Sequence, residues 1–384
     1  MKKNNIKFMD LRKQQRILRS GLQASIQRVL DHGQYIMGPE VQALEIELAE
    51  YIGCKYCKTC ANGTDALLLA LKATGVGADD LVIVPSMSFA ATAEAVVNAG
   101  ATPIFVDIEL GHYSLSAEKT RQAIVEYCSK GLCPKAVICV DLYGIPSDYD
   151  SLKSLCKEYD IALVADGAQS FGAMQNGKCI GNIADITTTS FFPAKPLGCY
   201  GDGGAIFTNN EKYALLVESL RVHGKGDSKY DNVRVGFNSR LDTIQAAILL
   251  EKLKIYRKEQ LLRNEVSNYY SEFLNHEALV LPKIRESDES AWALYTIRVL
   301  GSYRDKLESD LRQASVPTQV YYRKPLHLQA AFSENSLTHN ALATTELYST
   351  QVLSLPMHSF LKRSEVEFIS NMVIKSVEAC VHSA

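Results

Sequence analysis

Apolar positions recur at helical spacing from about residue 12 to residue 31, and the pattern stops near Gly33. A second helix is expected to open at Gly38-Pro39-Glu40, because a proline at the first helical position loses no hydrogen bond and its fixed φ already suits the helix. Short apolar runs then alternate with helical ones. Leu81 to Val84, Thr102 to Val106, Ala136 to Val140, Ile161 to Ala165 and Thr187 to Phe191 predict buried strands, with helices between them near Gly63 to Ala73, Ala91 to Asn98, Ala117 to Cys128 and Tyr149 to Tyr159. Strands separated by helices are βαβ units, which require a mostly parallel sheet in a doubly wound α/β fold. A long charged helix is expected from about Asp242 to Leu274, followed by mixed short elements that include Trp292 to Val299 and Val316 to Tyr322. The expected organisation is a large α/β domain over residues 1–250, with a helical N-terminal segment, and a smaller α+β domain over residues 251–384.

Composition narrows the function classes. With 47% hydrophobic and 22% charged residues in 384, this is a globular chain, not a disordered, collagenous or coiled-coil one. Lys and Arg number 41 against 43 Asp and Glu, so no positive field draws in nucleic acid or anionic lipid. Lys2 and Lys3 are not followed by an apolar core, and no apolar stretch approaches roughly 18 to 20 residues. Neither a signal peptide nor a membrane span is expected, and the expected address is the cytoplasm, where the ten cysteines would stay reduced. Cys54, Cys57 and Cys60 stand at a spacing that could suit a soft metal, but a fourth ligand is missing nearby and cysteine is also a common buried apolar residue. No metal is expected.

Three stretches could carry chemistry. Leu163 to Gln169 is an apolar strand ending in Asp166, where ligands bind in open α/β sheets; a helix N-cap is the plainer use of the same residue. Thr187 to Gly198 runs from a strand into a turn that offers Ser190 and then Lys195 among prolines and apolar residues. An amine in apolar surroundings is pushed toward its neutral, nucleophilic form, whereas a solvated surface lysine is the alternative. Asn62-Gly63-Thr64-Asp65 precedes a helix, a natural phosphate site or a simple cap. The following Gly201-Asp202-Gly203-Gly204 turn into another strand lacks both the dinucleotide and the P-loop spacing. A phosphate cradle, a carboxylate at a strand end and a lysine on a turn together are what pyridoxal 5'-phosphate needs.

The order and wording of these motifs resemble the DegT-type family of nucleotide-sugar aminotransferases. The similarity extends from Gln34-Tyr35-Ile36-Met37-Gly38-Pro39 through Gly236-Phe237-Asn238-Ser239-Arg240-Leu241-Asp242 to Leu355-Pro356-Met357-His358, and the run Ser190 to Ala205 is the most specific part. The resemblance implies the type I, aspartate-aminotransferase-like fold, a homodimer with active sites at the subunit interface, and pyridoxal 5'-phosphate. By it, Lys195 would form the Schiff base with the cofactor and shuttle the proton. Asp166 would pair with the ring nitrogen, Gln169 would bond near the ring hydroxyl and Phe89 would stack on the ring. Gly63, Thr64 and Ser190 would hold the phosphate, with Asn238 reaching it from the partner subunit. Arg240 and Tyr322 would line the sugar-nucleotide cleft from across the dimer, and Tyr321 occupies a position that bears on the choice of sugar. Packing of Phe89 and Tyr322 and a surface ion pair at Arg240 are the alternatives.

The wording is most similar to members that aminate carbon 3 of UDP-linked 2-acetamido sugars or their uronic acids, with glutamate as donor, in pathways such as lipopolysaccharide or O-antigen biosynthesis. A 4-keto substrate is the alternative, and a non-catalytic regulator of the same fold a further one. Sugar dehydratases of this fold resemble proteins with His in place of the lysine, and this chain keeps Lys195.

Overall fold

The computed structural model describes residues 6–228 and 230–382; Lys2 and Lys3 lie outside them. The first periodic stretch is two helices, α1 (Leu11–Ile17) and α2 (Arg19–His32), divided at Leu18. Helix α3 (Pro39–Ile52) opens on Pro39 as expected and ends at Gly53, whose φ of 76° supplies a left-handed cap. Next come β1 (Tyr56–Cys60), α4 (Gly63–Ala73), β2 (Leu81–Pro85), α5 (Ala90–Asn98), β3 (Thr102–Val106), α6 (Ala117–Ser129), β4 (Ala136–Val140), α7 (Tyr149–Glu158) and β5 (Ala162–Asp166). A hairpin of β6 (Met174–Gln175) and β7 (Lys178–Cys179) precedes β8 (Ile186–Ser190), β9 (Gly204–Thr208) and α8 (Glu211–Leu220). The remainder is α9 (Thr243–Phe273), β10 (Leu279–Val280), β11 (Asp288–Glu289), β12 (Tyr295–Val299), α10 (Arg304–Gln313), β13 (Leu337–Thr338), α11 (Ala343–Gln351), β14 (Val352–Leu355) and α12 (Arg363–Val381).

Eight strands form one sheet in the order β1-β9-β8-β5-β4-β2-β3-β13. Only β9 runs against the direction of the other seven. Alternate residues of β2 enter different cores: Val82 and Val84 pack on one face with α4 and α5, and Leu81 and Ile83 on the other with α6 and α7. Both faces are covered, so the strands read as continuous apolar runs. The expected α/β fold is the observed one. A second core gathers the far end of α9, the β10-β12-β14 sheet, α10 and α12.

Three expectations change. β1 appears where the cysteine spacing had drawn attention, and residues 57 and 60, three apart on a strand, face opposite sides and enter different cores. They cannot converge on one ion, and burial pushes the Cys60 thiol up to about 12, as befits core residues. Of the mixed short elements, Trp292 to Val299 contains β12, and in Val316 to Tyr322 Gln319 bridges to Ser354. The boundary at residue 250 falls inside the unbroken α9, and β13 joins the larger sheet, so the C-terminal part is not separate from it. Last, Cys128 and Cys133 are joined in a disulfide, because the chain turns at Gly131 and brings their Cα atoms to 4.1 Å; the other eight cysteines are free. Among the described residues no helix is long and apolar enough to cross a membrane.

Candidate active site

All three sequence-predicted stretches end at one edge of the sheet. β5 and β8 are parallel neighbours, and β1, antiparallel to the shared neighbour β9, points the same way as β8. Cys60 and Ser190 therefore both sit opposite Gly204. A Cβ on Gly204 would lie 2.5 Å from the Asn62 carbonyl oxygen, so glycine lets the Ala61-Asn62 turn cross β9 closely. Gly63 is as tightly placed, since a Cβ there would lie 2.7 Å from Cβ of Ser190. The start of α4 is thus held against the end of β8. Asn62 caps the helix by accepting from the Asp65 N–H at 2.8 Å, and its carbonyl accepts from Ala66. The Gly63 and Thr64 amides have no partner inside the helix and lie at the positive end of its dipole, and Gly63 stands beside the Ser190 hydroxyl.

Asp166, at the end of β5, is 6% exposed. Thr92 Oγ1 donates to its Oδ2 at 2.8 Å and the Ala168 N–H to its Oδ1 at 3.2 Å, while Ser88 and Thr92 hydroxyls pair at 2.7 Å. Burial raises its pKa, against the pull of Thr92, Ala168 and Lys195. Lys195, half-buried in the turn after β8, is shifted the opposite way: burial lowers its pKa, with Asp166 opposing. Both groups are driven toward neutrality by the same dry setting, which favours an amine able to act as nucleophile and base.

Aromatic rings surround the pair. Phe89 is 54% exposed at the start of α5, and its ring lies 6.2 Å from that of Tyr322. Burial raises the Tyr322 phenol, and the Asp166 charge adds to the effect. Ser86 anchors the 321–328 segment: its carbonyl accepts from the Leu326 N–H at 2.9 Å and its hydroxyl bonds His327 Nδ1 at 2.5 Å. Tyr322 therefore reaches Phe89 within its own chain, where it had been expected from across a dimer. Gln169 is buried, and its Oε1 accepts from the Tyr143 N–H at 2.7 Å, which leaves its NH2 group as the donor.

Not every expected residue is brought to this point. Tyr321 contacts Tyr322 and its carbonyl accepts from the Tyr143 hydroxyl. Asn238 is exposed and accepts from Arg240 Nη2; the residue between them, Ser239, is buried and accepts from the Ala61 N–H at 3.2 Å. That bond docks the 236–242 segment beside the turn leading to Gly63, with Asn238 and Arg240 flanking it. Thr92, Ser86 and Tyr143 had no signal in the sequence, because each acts on a residue far along the chain, Thr92 on one 74 positions away, while Ser88 enters only through its bond to Thr92.

Residues 17–374 match the DegT/DnrJ/EryC1/StrS aminotransferase family. The chain belongs to that family. It is 44% identical over 364 residues, 95% of this chain and 98% of the relative, to the UDP-2-acetamido-2-deoxy-3-oxo-D-glucuronate aminotransferase of Pseudomonas aeruginosa. A DegT DnrJ EryC1 StrS aminotransferase from Brucella abortus superposes with a TM-score of 0.93 at 41% identity, over 96% of this chain and 99% of that one. NtdA from Bacillus subtilis, solved with bound cofactor PMP, superposes with a TM-score of 0.86 at 30% identity, over 94% and 82% of the two chains. The type I fold expected for this family member is the one observed.

Proposed function

We propose that this DegT-family protein is a pyridoxal-phosphate-dependent aminotransferase that moves an amino group from glutamate to a 3-keto nucleotide sugar, a UDP-linked 2-acetamido sugar or its uronic acid. The observation that carries the reading is the Lys195–Asp166 pair at one sheet edge, an amine that burial pushes toward its neutral, nucleophilic form and a buried carboxyl group whose charge acts on it. The 44% relative, named for a 3-oxo glucuronate, supports carbon 3 and favours the acidic sugar.

The residues fit the cofactor. Gly63, whose missing Cβ leaves room only for backbone against Ser190, gives with Thr64 and the Ser190 hydroxyl a set of donors for a phosphate. When bound, the cofactor supplies an aldehyde for amines and a ring that takes up electron density. Asp166 would hold a proton on the ring nitrogen, with Thr92 and Ala168 keeping its oxygens in place. Gln169 would donate near the ring hydroxyl, and Phe89 offers an exposed ring for stacking. Lys195 would take and return the substrate proton at Nζ, and Tyr322 would close the cleft from the same chain.

A homodimer is part of the proposal. Asn238 and Arg240 make no bond to Lys195 or Asp166 among the contacts described, and the segment that carries them runs on into Asp242 and Thr243, which pair with the exposed Ile36 and Tyr35. Such a surface suits a second copy, with Asn238 reaching the partner's phosphate and Arg240 and Tyr321 meeting the sugar nucleotide. A cytoplasmic enzyme of lipopolysaccharide or O-antigen amino-sugar synthesis is the proposed setting. Turnover of 3-keto and 4-keto UDP-sugars with glutamate tests the reading: 3-keto substrate should be aminated faster, and preference for the 4-keto sugar, or amination of neither, defeats it.

A further inference from the structure

We propose that one face of α9 is a positioning rail for the two loops that present Lys195 and Gln169, an inference that rests on the aminotransferase reading of that site. Lys252, Tyr256, Gln260 and Arg263 stand at i, i+4, i+8 and i+11 and so form a single stripe along the helix. All four are buried, at 2%, 1%, 0% and 8% exposure. Each ends on a loop carbonyl. Lys252 Nζ donates to the Gly198 carbonyl at 2.5 Å and Arg263 Nη2 to the Pro196 carbonyl at 3.0 Å. Gln260 Nε2 donates to the Gly172 carbonyl at 2.5 Å, and the Tyr256 hydroxyl donates to the carbonyl of Phe171.

The targets are selective. Pro196 and Gly198 follow Lys195 by one and three residues, and Phe171 and Gly172 follow Gln169 by two and three. A straight helix advances ~1.5 Å per residue, so Lys252 and Arg263 lie roughly 16 Å apart on a stiff rod. Donors fixed on that rod set where one loop sits relative to the other, and with it the approach of Lys195 to the turn that begins at Asp166. Any donor would satisfy a buried carbonyl, yet two of the four are cations, whose bonds are about twice as strong as neutral ones. Burial pushes Lys252 down to about 8, with Cys199 and Glu259 opposing, so that charge is kept at a cost. The Tyr200 ring, 4.2 Å from Lys252 Nζ, covers it from the loop side.

The test uses the holoenzyme and follows three readouts: the pH midpoint of the visible absorbance of the covalently held cofactor, kcat and KM for glutamate, and the melting temperature. Lys252→Met should lower kcat on the order of 10-fold and displace the absorbance midpoint, with KM within about two-fold of wild type. Lys252→Arg, which keeps a charged donor, should restore most of both. If Lys252→Met does not fold, Tyr256→Phe removes one hydroxyl only and should move the same midpoint by a smaller amount. A folded variant with lowered melting temperature but wild-type kcat and midpoint overturns the rail and leaves α9 a purely stabilising role. Wild-type protein without any Lys195-dependent absorbance sinks the aminotransferase reading and the rail with it, whereas unchanged variants beside a Lys195-dependent wild-type band sink the rail alone.

Discussion

Two buried charged clusters in this molecule behave in opposite ways. At one end of the sheet Arg221, 1% exposed, bonds the Thr59 carbonyl at 2.7 Å, both oxygens of Glu218 at 2.9 Å, and Glu45. Burial works against its charge, but Glu45 and Glu218 outweigh the cost and hold the guanidinium above its usual value. Around Lys195 and Asp166 burial wins instead, and both groups shift toward neutrality. The first cluster finds its counter-charges within the chain; the second keeps its chemistry for something the chain does not supply. Direction of shift, more than burial, separates these two clusters.

The strongest way to break that comparison is Lys195→Ala. We predict a loss of turnover of at least ~10³-fold, together with the visible absorbance of bound cofactor. Stability should move the other way. A lysine whose folded pKa is depressed makes the unfolded chain the better proton binder, so stability rises with pH between the folded value and the ordinary 10.5. Removing the amine deletes a burial cost, and the apoprotein should melt no lower than wild type at neutral pH. Retained absorbance would remove Lys195 from the site.

Arg221→Met is the counterpart. Glu45 and the Thr59 carbonyl would lose their buried partner, and a loss of ~3–5 kcal/mol in denaturant unfolding is expected, with kcat per folded molecule little changed. A stability loss under about 1 kcal/mol would mean that water replaces the guanidinium, and the two clusters would then differ less than claimed.

The sequence made the second cluster far more legible than the first. Asp166 at a strand end and Lys195 on a turn are local words, readable because each function is carried by a residue and its immediate neighbours. Arg221 stands in no recognisable pattern, since its partners Glu45 and Thr59 are 176 and 162 positions away. The same limit hid Thr92 behind Asp166 and the donors of α9 behind Lys195. β1 was missed for another reason: Tyr56 to Cys60 is five residues with three cysteines in or before it, and spacing that suggests ligands masked the alternation of a strand. Periodicity found the long elements well, but assigned no kind to Val316 to Tyr322, a stretch too short for a period and tied by a single bridge from Gln319 to Ser354.

Asp166→Asn sharpens the comparison at a smaller scale. Turnover should fall ~10²–10³-fold, because an amide cannot keep a proton on the ring nitrogen by charge. For a carboxyl raised above 3.8, the folded chain binds the proton more tightly than the unfolded one in the window from 3.8 to the raised value, and stability falls as pH rises through it. The Asn apoprotein should lack that slope in acid titration of the melting temperature. An unchanged slope would assign it to another carboxyl such as Asp141, which burial raises to about 6.

The smallest effect belongs to the Cys128–Cys133 disulfide. It closes a span of only five residues in sequence, for which chain-entropy reasoning gives about 2 kcal/mol at most. It lies on the connection from α6 to β4, which enters that strand at the edge opposite the one where Asp166 and Ser190 end. Reduction should therefore lower the melting temperature by a few degrees and leave kcat and KM as they were, and Cys128→Ser should be indifferent to reductant. In a reducing compartment the pair would stand open, so the fold must hold without it. If turnover instead followed the redox state, a coupling would have to run through β4 from one edge of the sheet to the other, and the separation between structural and reactive clusters drawn from Arg221 and Lys195 would no longer describe the whole molecule.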